Sequence, residues 1–261
     1  MAAPSFLKGP FLSLIAFQAA LADLVASPQR CLAARAEPEV AFAGYDLDDR
    51  ERSRLISVVW QRGMSANCTV YRATRLIAIY TLLPLTCALL GSSLTEEVDR
   101  YWDNGARLEI HFDAELTAFA AHLRPRLSER LVSLQWDHMA VRDVLDLEVA
   151  IELLRLRSTA GVETPGPQIG CLGLSPDYRV VRLAHEPQSL LSAARANPPD
   201  FLDIPRSDCC VLISIATGAI EIFLLPSDVR EEAIALSEGR LRALPPSLQG
   251  LGLEAQSVAL L

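Results

Sequence analysis

Between Leu76 and Leu90 the sequence LIAIYTLLPLTCALL contains no charged residue. A run of this length is too short for a bilayer, which needs about 20 apolar residues, and Pro84 interrupts it. Other parts of the same chain must therefore bury it, and it reads as a central core helix kinked at Pro84. The stretch before it, SVVWQRGMSANCTVYRATR (57–75), has a different texture, with Gly63, Asn67, Tyr71 and three arginines. A helix capped by Ser65 places Asn67, Tyr71 and Arg75 at i, i+4 and i+8, with Arg72 beside them and Arg62 just before. Val70, Leu76, Ile77, Tyr80 and Leu83 are then expected to face inward. Two readings of the polar stripe stay open. Its arginines either pair with acidic neighbours such as Asp48, Asp49 and Glu51, or form a surface for another molecule.

The tract lies inside a succession of helices. FLSLIAFQAALAD, with Phe11, Leu14, Ile15, Gln18, Leu21 and Leu24 at helical spacing, reads as an amphipathic first helix over 11–26 rather than an export signal. Ser27-Pro28 open a second helix, and 36–46 reads as a loop. Asp46 or Asp48 caps a third helix, expected to stop at Gly63. After Gly91, Ser93 with Glu96 has the spacing of a capping box for a helix ending at Asn104-Gly105. Further helices fit 113–122, 127–138 and 141–157.

The pattern changes at STAGVETPGPQIG (158–170), uncharged but for Glu163 and rich in Gly and Pro, where a domain boundary is expected. Beyond it, YRVVRL (178–183) reads as a strand and 186–196 as a short helix. CCVLISI (209–215) and AIEIFLL (219–225) read as a hairpin turning at Ala216-Thr217-Gly218, followed by a helix from Pro226-Ser227 to about residue 241. The expectation is an α+β protein. An all-α domain over 1–160 precedes a small β-α-β-β-α module within 161–261.

Charge narrows the function classes. The net charge is −8, and 1–160 holds 17 basic and 20 acidic residues against 7 and 12 in the remainder. Neither part carries the basic footprint of a nucleic-acid binder. The six cysteines include no CxxC pair, and Cys209-Cys210 would point to opposite faces of a strand. Reduced, buried thiols of a cytosolic protein are expected, without structural zinc and without a membrane span.

No catalytic set emerges. The histidines at 111, 122, 138 and 185 have no HxxxH or HExxH spacing, and GxSxG, P-loop and GxGxxG motifs are absent. His111 and Asp113 could supply two metal ligands, although an Asp that caps the following helix explains HFD as well. The expectation is no catalytic residue, metal or cofactor in this chain.

NCTVYRATRLIAIYTLLPLTCALLG followed by EVDRYW resembles the core of a family of partner proteins in bacterial peptide modification. In that pattern a Tyr-Arg helix leads into an apolar helix with Pro, then Leu-Gly, then an aromatic-containing helix. LVSLQWDHMAVRDVLDLEVA (132–150) is similar to the family as well. So is the order SPDYRVVRL, short helix, CCVLISIATGAIEIFLLPSDV, closing helix. The family is typified by the methanobactin C protein and its thiaglutamate-pathway relative, and some members have been labelled DNA-binding.

The resemblance implies a non-catalytic subunit in a heterodimer with a TIM-barrel, multinuclear non-haem iron enzyme. The pair would oxidatively modify a cysteine in a ribosomally made precursor peptide, with iron held by the partner. It also implies that the C-terminal sheet captures a leader segment as an added strand, while the helical domain docks on the enzyme. Tyr178, Arg179, Val181 and Arg182 are then the candidate peptide-binding residues, and Arg62, Asn67, Tyr71, Arg72 and Arg75 the candidate interface with the enzyme or its peptide. The alternatives are a structural strand covered by the 186–196 helix and, for the whole chain, a DNA-binding regulator.

Overall fold

The computed structural model describes residues 10–103, 112–159, 178–201, 204–216 and 219–237. The fold is α+β, a mostly helical N-terminal region followed by a small three-stranded antiparallel sheet with helices. Contacts divide the chain into two compact units, Met1–Ala78 with Val98–Ile110 and Ile79–Glu97 with His111–Leu261. This grouping differs from the expected 1–160 and 161–261 division, whose Gly/Pro-rich run lies outside the described residues from 160 onward.

In the first unit, α1 (Pro10–Ala26), α2 (Pro28–Ala36), α3 (Pro38–Ala41) and α4 (Asp49–Val59) enclose a core with the start of α5 (Arg62–Leu82). Leu24, Phe42, Leu55, Val59 and Met64 form its centre, with Cys31 and Cys68 buried as small hydrophobes. Ser27 caps α2, with Pro28 in its first turn. Asp48 and Glu51 cap α4 reciprocally, Glu51 N–H to Asp48 Oδ1 at 2.7 Å and Asp48 N–H to Glu51 Oε2 at 3.0 Å. The expected loop at 36–46 contains α3.

The expected break at Gly63 falls earlier. α4 ends at Val59, and α5 runs from Arg62 through both Gly63 and Ser65. Gly63 keeps a negative φ, and α4 closes without a left-handed residue, its C-cap Trp60 lying at φ −87°. Nor is Pro84 a kink inside one helix. α5 stops at Leu82, Leu83 leaves the helical conformation at φ −127° and ψ 52°, and Pro84 opens α6 (Pro84–Leu90), where its missing N–H needs no partner. The Ser93–Glu96 capping box does not form, because Ser93 closes a 3₁₀ turn (Gly91–Ser93) and donates its hydroxyl to Ser133 O. α7 (Leu94–Asp103) follows.

In the second unit, α8 (Phe112–Ser128) packs on α9 (His138–Thr159), with Leu116, Phe119, Leu123 and Leu127 of the one and Leu145 and Leu147 of the other fully buried. The expected helix over 127–138 is absent. α8 continues past Pro125 to Ser128 and ends in a Schellman motif, with Arg130 N–H bonding Leu127 O at 3.1 Å and Leu131 N–H bonding Arg126 O at 2.8 Å.

β1 (Tyr178–His185), α10 (Pro187–Arg195), β2 (Arg206–Ala216), β3 (Ala219–Leu224) and α11 (Arg230–Ser237) complete the unit. The hairpin turn at Thr217-Gly218 and the end of the last helix lie outside the described residues. The sheet order is β1-β2-β3, antiparallel throughout. α9 packs on β1 and β2, while Val229 and Ala233 of the α11 segment pack on Cys210, with Val180 and Leu212 against them, on the other face. Among the described residues no single helix is long and apolar enough to cross a membrane.

Candidate functional site

Two of the three α5 arginines, Arg72 and Arg75, are engaged by other side chains of the fold, and the residues of the expected stripe differ in exposure. Arg72 pairs with Asp99 of α7 and stacks on Trp102, 4.4 Å from the ring centroid. Arg75 is only 5% exposed and lies 5.4–5.7 Å from the ring centroids of Tyr71, Tyr101 and Trp102. Its cation thus meets the negative faces of three aromatic rings. Arg62 and Asn67 are exposed, whereas Tyr71 is half-buried. Eight residues of helix rotate about 80° beyond two full turns, which carries the stripe from solvent at Asn67 into the interior at Arg75. Arg72 therefore meets Asp99 and Trp102 of α7, and Arg75 two rings of α7 and one of α5, rather than Asp48, Asp49 or Glu51. The same rotation turns Val70 and Ile77 outward, at 65% and 61% exposure, where burial was expected, and leaves Tyr80 half out.

β1 lies at the edge of the sheet, with no other strand beside it among the described residues. Its orientation follows from the ladder. Leu225 N–H bonds Cys210 O at 2.8 Å, so Cys210, Leu212 and Ser214 direct their backbone groups toward β3. Cys209, Val211 and Ile213 must then serve β1 through Leu183, Val181 and Arg179, their register partners. Tyr178, Val180 and Arg182 consequently direct their N–H and C=O groups away from the sheet. Ala184 N–H also points outward, and Asp143 of α9 accepts it at 2.8 Å.

Alternation separates the two candidate arginines of this strand. Arg182 stands on the α11 face and forms a two-bond fork with Asp208, both contacts 3.0 Å. Arg179 stands on the α9 face, half-buried, and burial followed by the nearby Arg157 charge lowers its pKa. Val181 faces α9 from within the ladder opposite Val211. The two arginines of β1 thus stand on opposite faces of the sheet.

Beside the C-terminal end of β1 a groove of about 470 Å³ is lined by Arg142, Arg182 and Arg206 with Asp143 and Asp208. Arg142 donates to Ser128 Oγ at 2.9 Å, and Arg206 to Asp137 at 2.8 Å. Asp143 also accepts from His185 Nδ1 at 2.8 Å. Burial raises the Asp143 pKa, and the His185 ring and Ala184 amide pull it partly back. Arg142, Asp143 and Arg206 escaped the sequence reading, because residues on α9 and at the start of β2 meet β1 only through tertiary packing.

Among the described residues no group of three or more His, Cys, Asp or Glu side chains could hold a metal ion. His111 lies outside them, and Asp113 is exposed in the first turn of α8. No protein-family model matches the chain, and no curated protein matches it.

Proposed function

We propose that this chain is the non-catalytic, substrate-presenting subunit of a heterodimer with a TIM-barrel multinuclear non-haem iron enzyme. The observation that supports the reading is the outward backbone edge of β1 at Tyr178, Val180 and Arg182, with the groove of Arg142, Arg182 and Arg206 at its end. A ribosomal precursor peptide adds to this edge as a fourth strand, its main chain pairing with the three outward residues. Asp143 occupies Ala184 N–H, so pairing ends there and the peptide's register has a stop. Acidic side chains of the leader meet the arginines at the groove. Iron and the oxidation of the peptide's cysteine belong to the partner enzyme.

The test is co-expression with the iron enzyme encoded nearest to this chain, then size-exclusion chromatography with metal analysis of each peak. A 1:1 complex, with iron present only when the larger chain is present, is expected. Elution of this chain alone, or stoichiometric iron in it by itself, overturns the reading.

A further inference from the structure

The two arginines of β1 differ in what holds them. Arg182 is gripped by both carboxylate oxygens of Asp208. Arg179 has no carboxylate within ion-pair distance among the described residues, and its hydrogen bond runs from Nη1 to Tyr178 O at 3.3 Å. That carbonyl is one of the groups β1 turns away from the sheet, so the bond draws the guanidinium to the open edge. The charge that acts on it is a second cation, Arg157 in the last turn of α9. A helix C-terminus suits a cation, which accounts for the exposed Arg157. It does not account for Arg179, half-buried on the α9 face with a like charge nearby. Burial and that charge both disfavour the ionised guanidinium, and an anion between the two arginines would offset both penalties.

We propose that Arg179 and Arg157 bind the carboxylate of an acidic residue in the peptide strand that adds to β1. The site deepens the strand-addition reading and rests on it. Two guanidinium groups donate to the two oxygens of one carboxylate, and such charge-assisted bonds are shorter and stronger than neutral ones. A neutral amide at the same place would leave the two cations unrelieved, and a lysine would add a third.

The pleat fixes which peptide residue carries the acid. Side chains level with one another on neighbouring strands share a face, about 4.5–5.5 Å apart at Cβ. The residue level with Arg179 therefore points to the α9 face, toward both guanidinium groups. The next residue is level with Val180 and points to the α11 face, where Val180, Leu212 and Ile234 pack on the cluster around Cys210. An apolar side chain belongs there. The recognised element is thus an acidic residue with an apolar neighbour, each read on its own face of the sheet.

Fluorescence anisotropy of the full chain with fluorescein-labelled Gly-Thr-Val-Val-Glu-Thr-Gly, and with the same peptide bearing Gln or Lys in place of Glu, tests the site. The sequence is written for a strand antiparallel to β1, as both pairings of the sheet are. The Glu peptide should bind about tenfold more tightly than the Gln peptide, and more tightly still than the Lys peptide. Arg179→Gln should remove the preference, and Arg179→Lys should keep part of it. Arg157→Gln, at an exposed position, should reduce it without loss of folding, which circular dichroism checks. Equal binding of the three peptides, with all three lost in Val180→Pro, overturns the carboxylate site and leaves strand addition standing. A preference for Glu that survives in both glutamine variants places the acid elsewhere and overturns the site. Failure of all three peptides at millimolar concentration overturns the site and the added strand together.

Discussion

Arg75 and Arg72 are one helical step apart on α5 and make different demands on the fold. Arg72 keeps a quarter of its side chain in solvent and pairs with a 42%-exposed Asp99, so the ion pair itself is worth on the order of 1 kcal/mol or less. Arg75 is desolvated among three rings, where each cation–π contact is worth about 1–2 kcal/mol. Arg75→Ala should cost about 2–4 kcal/mol in chemical denaturation, well above Arg72→Ala. Equal and small losses would return both residues to the docking role first read for them.

Glu148 gives a second prediction at this scale. Its carboxyl ordinarily titrates near 4.5 and is raised to about 7 by its burial in the fold. The stabilisation that its protonated form confers is complete below about pH 4.5 and lost as pH rises through about 7. At ~1.4 kcal/mol per pH unit this amounts to roughly 3 kcal/mol. Glu148→Gln should flatten that part of the stability–pH curve, and an unchanged slope would refute the assignment. The sequence supplied no sign of this group, because Glu148 differs from the solvent-facing acids of other helices only through what α6 places over it.

At the scale of elements, short segments with strong punctuation were legible. β1, α10 and the β2/β3 hairpin lie within a few residues of their expected positions, because period-two alternation and flanking turn residues allow little else. The breaks around α5 and α8 were not. Apolar residues surround α5 on every side, so periodicity could not say which face is buried. Pro125 lies on an exposed face close to the end of α8, where a missing amide bond is tolerated, and the true stop is Arg130 at φ 57°. A non-glycine residue in that conformation is strained, and no sequence signal marks it. Arg130→Gly should raise stability by about 1 kcal/mol in thermal or urea unfolding, since the folded backbone then no longer carries the Cβ clash. A loss of stability would show that the Arg130 side chain contributes more than its strain costs.

At the scale of the whole molecule, an acidic chain of net charge −8 gathers three arginines at the end of β1, one of the two edge strands of the sheet. If that edge takes the peptide while other surfaces take the enzyme, one substitution should separate the two activities. Val180 is suited to it. Its N–H points away from β2, so Val180→Pro removes an outward donor and leaves the ladder through Arg179, Val181 and Leu183 intact. Its side chain packs against the α11 cluster, which an apolar proline ring partly preserves. Val181→Pro removes a ladder donor opposite Val211 and should destabilise the sheet itself. The expected result is that Val180→Pro folds, still co-elutes with the iron enzyme and loses precursor-peptide binding in fluorescence anisotropy, while Val181→Pro unfolds at lower denaturant. Wild-type peptide affinity in Val180→Pro would exclude the added strand as the mode of capture. Loss of the enzyme complex in a folded Val180→Pro would place docking, not the peptide, on this edge.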